Sequence, residues 1–160
     1  MATPTTLPAA FVSGAVLTAA QQNDLRGAFR ILQVKSASST TPTTNATGTF
    51  LSNGLSVTIT PQATSSKIFV LCSTSARNTA GSNTAIFTIY RDSTNLGETT
   101  YGMGELAEGG TVPICLSILD DPASTSAITY TMRQRVGSPT TATSQQNSAK
   151  GSITVFEVSL

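Results

Sequence analysis

The sequence predicts an all-β protein, a jelly-roll-like β-sandwich of about eight strands with an extended N-terminal arm containing a short helix. Two observations carry this expectation. Leu55–Thr60, Lys67–Cys72, Ala85–Tyr90 and Ser152–Val158 are strand-length runs, most of them alternating apolar with hydroxyl side chains at period two, as a half-buried strand does. These runs are separated by turn-rich segments throughout the 160-residue chain, and no period of solenoid length repeats.

Taken in order, residues 1–29 form the arm and 30–160 the sandwich domain. Pro4 and Pro8 favour extended backbone in the opening stretch. Thr18-Ala-Ala-Gln21 fits a capping box, so a helix of two to three turns is expected over 19–29 with Leu25, Ala28 and Phe29 on its apolar side. Gly27 weakens it, and so short a helix needs a surface to pack on. Ile31–Lys35 reads as the first strand, and the Ser/Thr-rich 36–48 as an exposed loop or irregular edge. Thr49–Leu51 and Leu55–Thr60 are expected as separate strands split by an Asn53-Gly54 turn, with Pro61 ending the pairing. Lys67–Ala76 and Thr84–Arg91 follow, joined by a surface loop at 77–83, and Asp92–Asn95 makes the next turn. The glycine-rich 102–110 is expected as a mobile loop. Val112–Leu119, Ile128–Val136 and Gly151–Leu160 complete the set, with 137–149 as another loop.

Composition narrows the function classes. The chain has no His and no Trp, nine Lys/Arg, eight Asp/Glu and a net charge of +1. Catalysis at neutral pH draws mainly on His, tuned carboxylates, Cys or metals, so a chain this poor in them reads as a building block or binding module, not an enzyme, and no cofactor is expected. No basic footprint points to nucleic acid, and no apolar run reaches membrane-spanning length. The first residues lack the basic and long apolar segments of a secretory signal, which leaves the Asn45-Ala-Thr47 acceptor motif without consequence. Cys72 and Cys115 sit in apolar strand patterns and read as buried thiols, without the partners of a zinc site.

Few constellations remain. Asp120-Asp121-Pro122 has the oxygen chemistry for calcium but reads more simply as a turn. Glu105 and Glu108 stand in the 102–110 loop without an acid/base neighbour. Arg133 and Arg135 share one strand face and read as solvated. In the arm, Phe11, Val12, Val16, Leu17, Leu25 and Phe29 are apolar residues that a free arm would expose, so they are the candidate partner contacts.

The opening Ala2-Thr-Pro-Thr-Thr-Leu-Pro-Ala-Ala-Phe-Val-Ser-Gly-Ala-Val-Leu-Thr-Ala-Ala-Gln-Gln-Asn-Asp-Leu-Arg-Gly27 resembles the start of many tailed-bacteriophage virion proteins. The strings Gly54–Pro61, Ser65–Val70, Tyr90–Thr94 and Leu119–Pro122 are similar to those of small phage structural domains, which end in a strand with a late Glu like Ser152–Val158. The resemblance implies a non-enzymatic virion structural protein, on the head or on the tail. An arm that lies across neighbouring subunits and the closure of three heterologous contacts into a ring favour the outer capsid surface, as a homotrimeric decoration (cement) protein that bridges major capsid protein subunits. The alternative it leaves open is a tail-fibre or tail-tip domain, associated with other tail proteins, that binds a host surface glycan or receptor. In that alternative Arg77 and Tyr101 are the candidate contacts, within loops 77–83, 102–110 and 137–149.

Overall fold

The computed structural model of the chain describes residues 31–79, 84–107, 109–137 and 140–159, with positions 14, 16, 18 and 19. The arm helix expected over 19–29, and the arm contacts Phe11, Val12, Leu17, Leu25 and Phe29, lie outside the described residues.

Among the described residues, eleven strands make two antiparallel sheets: β1 (Ile31–Ser39), β2 (Thr43–Asn45), β3 (Leu51–Ile59), β4 (Lys67–Asn78), β5 (Ala85–Arg91), β6 (Thr94–Asn95), β7 (Gly104–Leu106), β8 (Val112–Asp120), β9 (Ile128–Val136), β10 (Ala142–Ser144) and β11 (Gly151–Val158). Three pairs are single strands broken in the middle. β10 and β11 lie along the same side of β4, separated by an excursion at 145–150. β1 and β2 run beside them with a matching break at 40–42. β6 and β7 both pair with the outer side of β5. Sheet A therefore runs β1/β2, β11/β10, β4, β8, and sheet B runs β3, β9, β5, β6/β7.

The inward positions follow period two. Leu55, Val57 and Ile59 of β3 meet Ile68, Val70 and Cys72 of β4, Phe87 and Ile89 of β5, Tyr130 and Met132 of β9, and Ile153 and Val155 of β11 in one core between the sheets. That apolar belt fills the middle of the sandwich only. At one end the filling is amide and hydroxyl, from Asn45, Asn53, Asn78, Gln134, Ser144 and Gln145. At the other it is charged, from Asp120 and Glu157.

Several expected loops are strand. Ser36–Ser39 continue β1, because Ser and Thr occupy an outward strand face without cost and join into hydroxyl pairs such as Ser36 Oγ with Thr154 Oγ1 at 3.0 Å. Asn53-Gly54 is no turn. Gly54 at φ 86° lets β3 bulge, and Asn53 points inward, fully buried, with its amide on Ser144 Oγ. The segments 102–110 and 137–149 contain β7 and β10. The Asp92 turn is as expected, a two-residue hairpin with φ 50° at Asp92.

Candidate functional site

The chemistry-bearing residues fall into four groups, which the two sheets hold apart. The first is a clamp between the sheets. Asp120, at the end of β8 in sheet A, accepts hydrogen bonds from Arg91 Nη1 of β5 (3.0 and 3.1 Å) and from Tyr130 Oη of β9 (2.6 Å). Asp120 is thus a buried inter-sheet tie and not the turn residue the sequence suggested. Burial, reinforced by the neighbouring Asp120 carboxylate, drives the Tyr130 phenol well above its usual range. Asp121 lies outside the clamp and pairs with Lys67; that hydrogen bond holds its carboxyl below the usual range. Among the described residues no group of three or more His, Cys, Asp or Glu is placed to hold a metal ion.

The second group closes the amide end. Gln134 donates to the carbonyls of Thr43 (3.0 Å) and Ala142 (3.4 Å) and accepts from Ser144 Oγ (2.5 Å). Asn45 Nδ2 donates to the carbonyls of Gln134 (2.6 Å) and Thr49 (2.9 Å). Gln145 plugs the break between β10 and β11. Its amide nitrogen faces the carbonyls of Thr41, Asn53 and Ser144, and its oxygen faces Thr74 Oγ1. These side chains do what ladder bonds do elsewhere in the sheet, so the network is structural. The buried Glu157 plays the corresponding part at the charged end, accepting from Gln33 Nε2 (2.6 Å) and the Gln62 amide (2.7 Å).

The third group lies on the outer face of sheet B. Arg133 stands 4.0 Å over the Tyr90 ring and Arg135 5.0 Å over the Phe50 ring, and the two rings are 6.0 Å apart. Both guanidinium groups also reach backbone carbonyls, Arg133 that of Asp92 and Arg135 those of Gly48 and Thr100. The expectation of a solvated pair is corrected here. The two arginines are half-buried pins that fasten loops to the sheet through cation–π stacking and hydrogen bonds.

The fourth group is the outer face of sheet A, which divides in two. Register places Val34, Phe156, Phe69 and Leu119 in one row across all four strands, with Ile31, Val158 and Leu71 flanking it. Leu119 is 58% exposed and Ile31 57%. The Phe69 and Phe156 rings lie tilted against each other with centroids 6.1 Å apart, and the patch encloses a shallow depression of about 560 Å³. From Leu71 onward the same face turns to hydroxyls: Leu71 shares its row with Ser36, Thr154 and Ser117, and the next row carries Ser38, Ser152 and Ser73. An apolar patch bounded by polar surface is the usual form of an interaction site. The sequence held a signal for it: Ile68-Phe-Val-Leu-Cys72 is apolar at every position, so both faces of that strand are apolar.

The predicted site residues are scattered. Val16 is 90% exposed. Arg77 is an exposed residue of β4 on sheet A, and Tyr101, 64% exposed, sits in the turn beyond β6 on sheet B. The two are therefore carried on different sheets. Tyr101 is positioned by Glu98, whose carboxylate accepts the backbone amides of Thr100 and Tyr101, bonds that hold its carboxyl below the usual range. Cys72 is buried and Cys115 exposed on opposite sides of sheet A, so they stand unbridged, and only Cys72 fits the expected buried thiol. Burial pushes the Cys72 thiol up to about 12. Compared with known families and curated proteins, the chain matches no family model and no curated relative.

Proposed function

We propose that this chain is a jelly-roll, non-enzymatic structural protein of a bacteriophage virion, a trimeric capsid decoration (cement) protein that stabilises the head. The observation that carries the reading is strand order. With β1/β2, β6/β7 and β10/β11 each counted as one strand, the eight strands are lettered A to H in chain order (A β1/β2, B β3, C β4, D β5, E β6/β7, F β8, G β9, H β10/β11). The first sheet then runs A-H-C-F and the second B-G-D-E, the order in which two interlocked Greek keys wind. That architecture is common in viral capsid proteins, and the arm sequence resembles the start of phage virion proteins.

In this reading the arm residues Phe11, Val12 and Val16 reach the major capsid protein, and binding adds buried area across capsomer boundaries. The test is the copy number of this chain in purified virions, measured by quantitative mass spectrometry against the major capsid protein. A ratio near parity supports cement; a ratio far below parity removes it. The second reading, a tail domain binding a host glycan, is favoured by one feature, the projecting Tyr101, since jelly rolls also serve as lectins. Glycan-array binding lost in Tyr101→Ala would support it.

A further inference from the structure

We propose that the apolar face of sheet A is the seat of this chain's own residues 17–29, so that the arm is anchored at its base and only its tip reaches outward. The first argument is connectivity. Ile31 lines the patch, and Phe29 lies two residues before it, so the two Cα atoms are separated by at most about 7 Å of chain. Phe29 thus enters from the rim of an apolar depression, and the next apolar residues upstream, Leu25 and Leu17, are carried with it.

The second argument is size. The row from Val34 on β1 to Leu119 on β8 crosses three inter-strand gaps, or about 14 Å. The helix that the sequence predicts over 19–29 has a length of about 16 Å, with Leu25, Ala28 and Phe29 along one side. The third argument is the one-sided placement of the patch. Its wholly apolar row, Val34, Phe156, Phe69 and Leu119, lies beside the Ile31–Val158 pair where residue 30 joins β1; the next row keeps only Leu71 among Ser36, Thr154 and Ser117, and the one beyond carries Ser38, Ser152 and Ser73. Apolar surface is supplied where the arm arrives and withdrawn where a segment of this length has no reason to lie.

The proposal is independent of the virion reading: it concerns the isolated chain and holds whatever the arm tip binds. If the virion reading also holds, Phe11 and Val12 carry the outward contact and Leu25 and Phe29 do not.

Cross-linking in the full-length chain tests it. In a Cys115→Ser background, Leu25→Cys is paired either with Leu71→Cys, inside the patch, or with Arg77→Cys on the same outward side of β4, about 20 Å further along. Under mild oxidation the Leu25/Leu71 pair is expected to close an intrachain disulfide at least tenfold faster than the Leu25/Arg77 pair. Equal rates, or no intrachain product, overturn the proposal. A product that runs as a covalent dimer also overturns it, because the arm then seats on a second copy. Leu25→Cys with the more exposed Leu119→Cys repeats the test should Leu71→Cys disturb the fold, which circular dichroism reports. Virion copy number is read separately, so failure here leaves the proposed function standing.

Discussion

Removing the Asp120 carboxylate tests whether the inter-sheet clamp holds the charged end of the sandwich together. In Asp120→Ala the fully buried Tyr130 hydroxyl loses its acceptor, and an unsatisfied buried polar group costs about 1–3 kcal/mol. Arg91 also loses its partner, but its side chain is 27% exposed and regains water, so its share is discounted to about 1 kcal/mol. The expected total is about 3 kcal/mol, or a fall in Tm of roughly 6–12 °C for a chain of this length. Tyr130→Phe removes one hydrogen bond and leaves Asp120 paired with Arg91, so it should cost about 1–2 kcal/mol. Because the two substitutions remove the same bond, the double variant should fall short of the sum by about 1 kcal/mol or more. Urea unfolding followed by circular dichroism measures all three. A loss below about 1 kcal/mol in Asp120→Ala, or strict additivity, would refute the clamp.

Four further outcomes are expected. With a colorimetric thiol reagent at pH 8, native protein should show one reactive thiol, Cys115, and unfolded protein two; two in the native state would contradict the burial of Cys72. Cys72 and Tyr130 both have raised folded-state pKa values, so their contribution to stability is complete below their ordinary values of about 9 and 10 and is lost as pH climbs above them; unfolding midpoints that hold steady between pH 8 and 11 would oppose this. Gly102 has φ 60°, and a Cβ there would lie 2.5 Å from the Phe87 carbonyl oxygen, so Gly102→Ala should destabilise by about 1–3 kcal/mol, read as a lower Tm. Gln134→Leu should strip the acceptor of Ser144 and the donor to Thr43, costing about 2–3 kcal/mol and lowering hydrogen-exchange protection first in β2 and β10.

The long strands were legible because period two survives wherever one face meets an apolar core. Leu55-Ser-Val-Thr-Ile59 and Ser152-Ile-Thr-Val155 carry it plainly. The broken strands were not legible, for a physical reason. At the amide end the inward residues are Asn45, Asn53, Gln134 and Ser144, so an inward position has the same polarity as an outward one and the alternation vanishes. Asn53-Gly54 misled because the dipeptide favours positive φ, which a bulge uses as readily as a turn does. Arg133 and Arg135 looked solvated because their stacking partners, Tyr90 and Phe50, are more than 40 residues away in sequence. The apolar patch was written in Ile68–Cys72 but needed the register of four strands to become a surface.

The pairing of Ile31 with Val158 has a mechanical consequence. Both ends of the domain leave sheet A at the same corner, on adjacent antiparallel strands. A force pulling residue 31 away from residue 158 would therefore load the β1–β11 hydrogen bonds one after another, like a zipper, and the domain should yield at low tension. A force entering at residue 31 and leaving at the hydroxyl end of β4 would instead load the same bonds together, in shear. A tether attached beyond Val158 pulls along the weak direction, whereas a load borne through the far end of the sandwich meets the strong one.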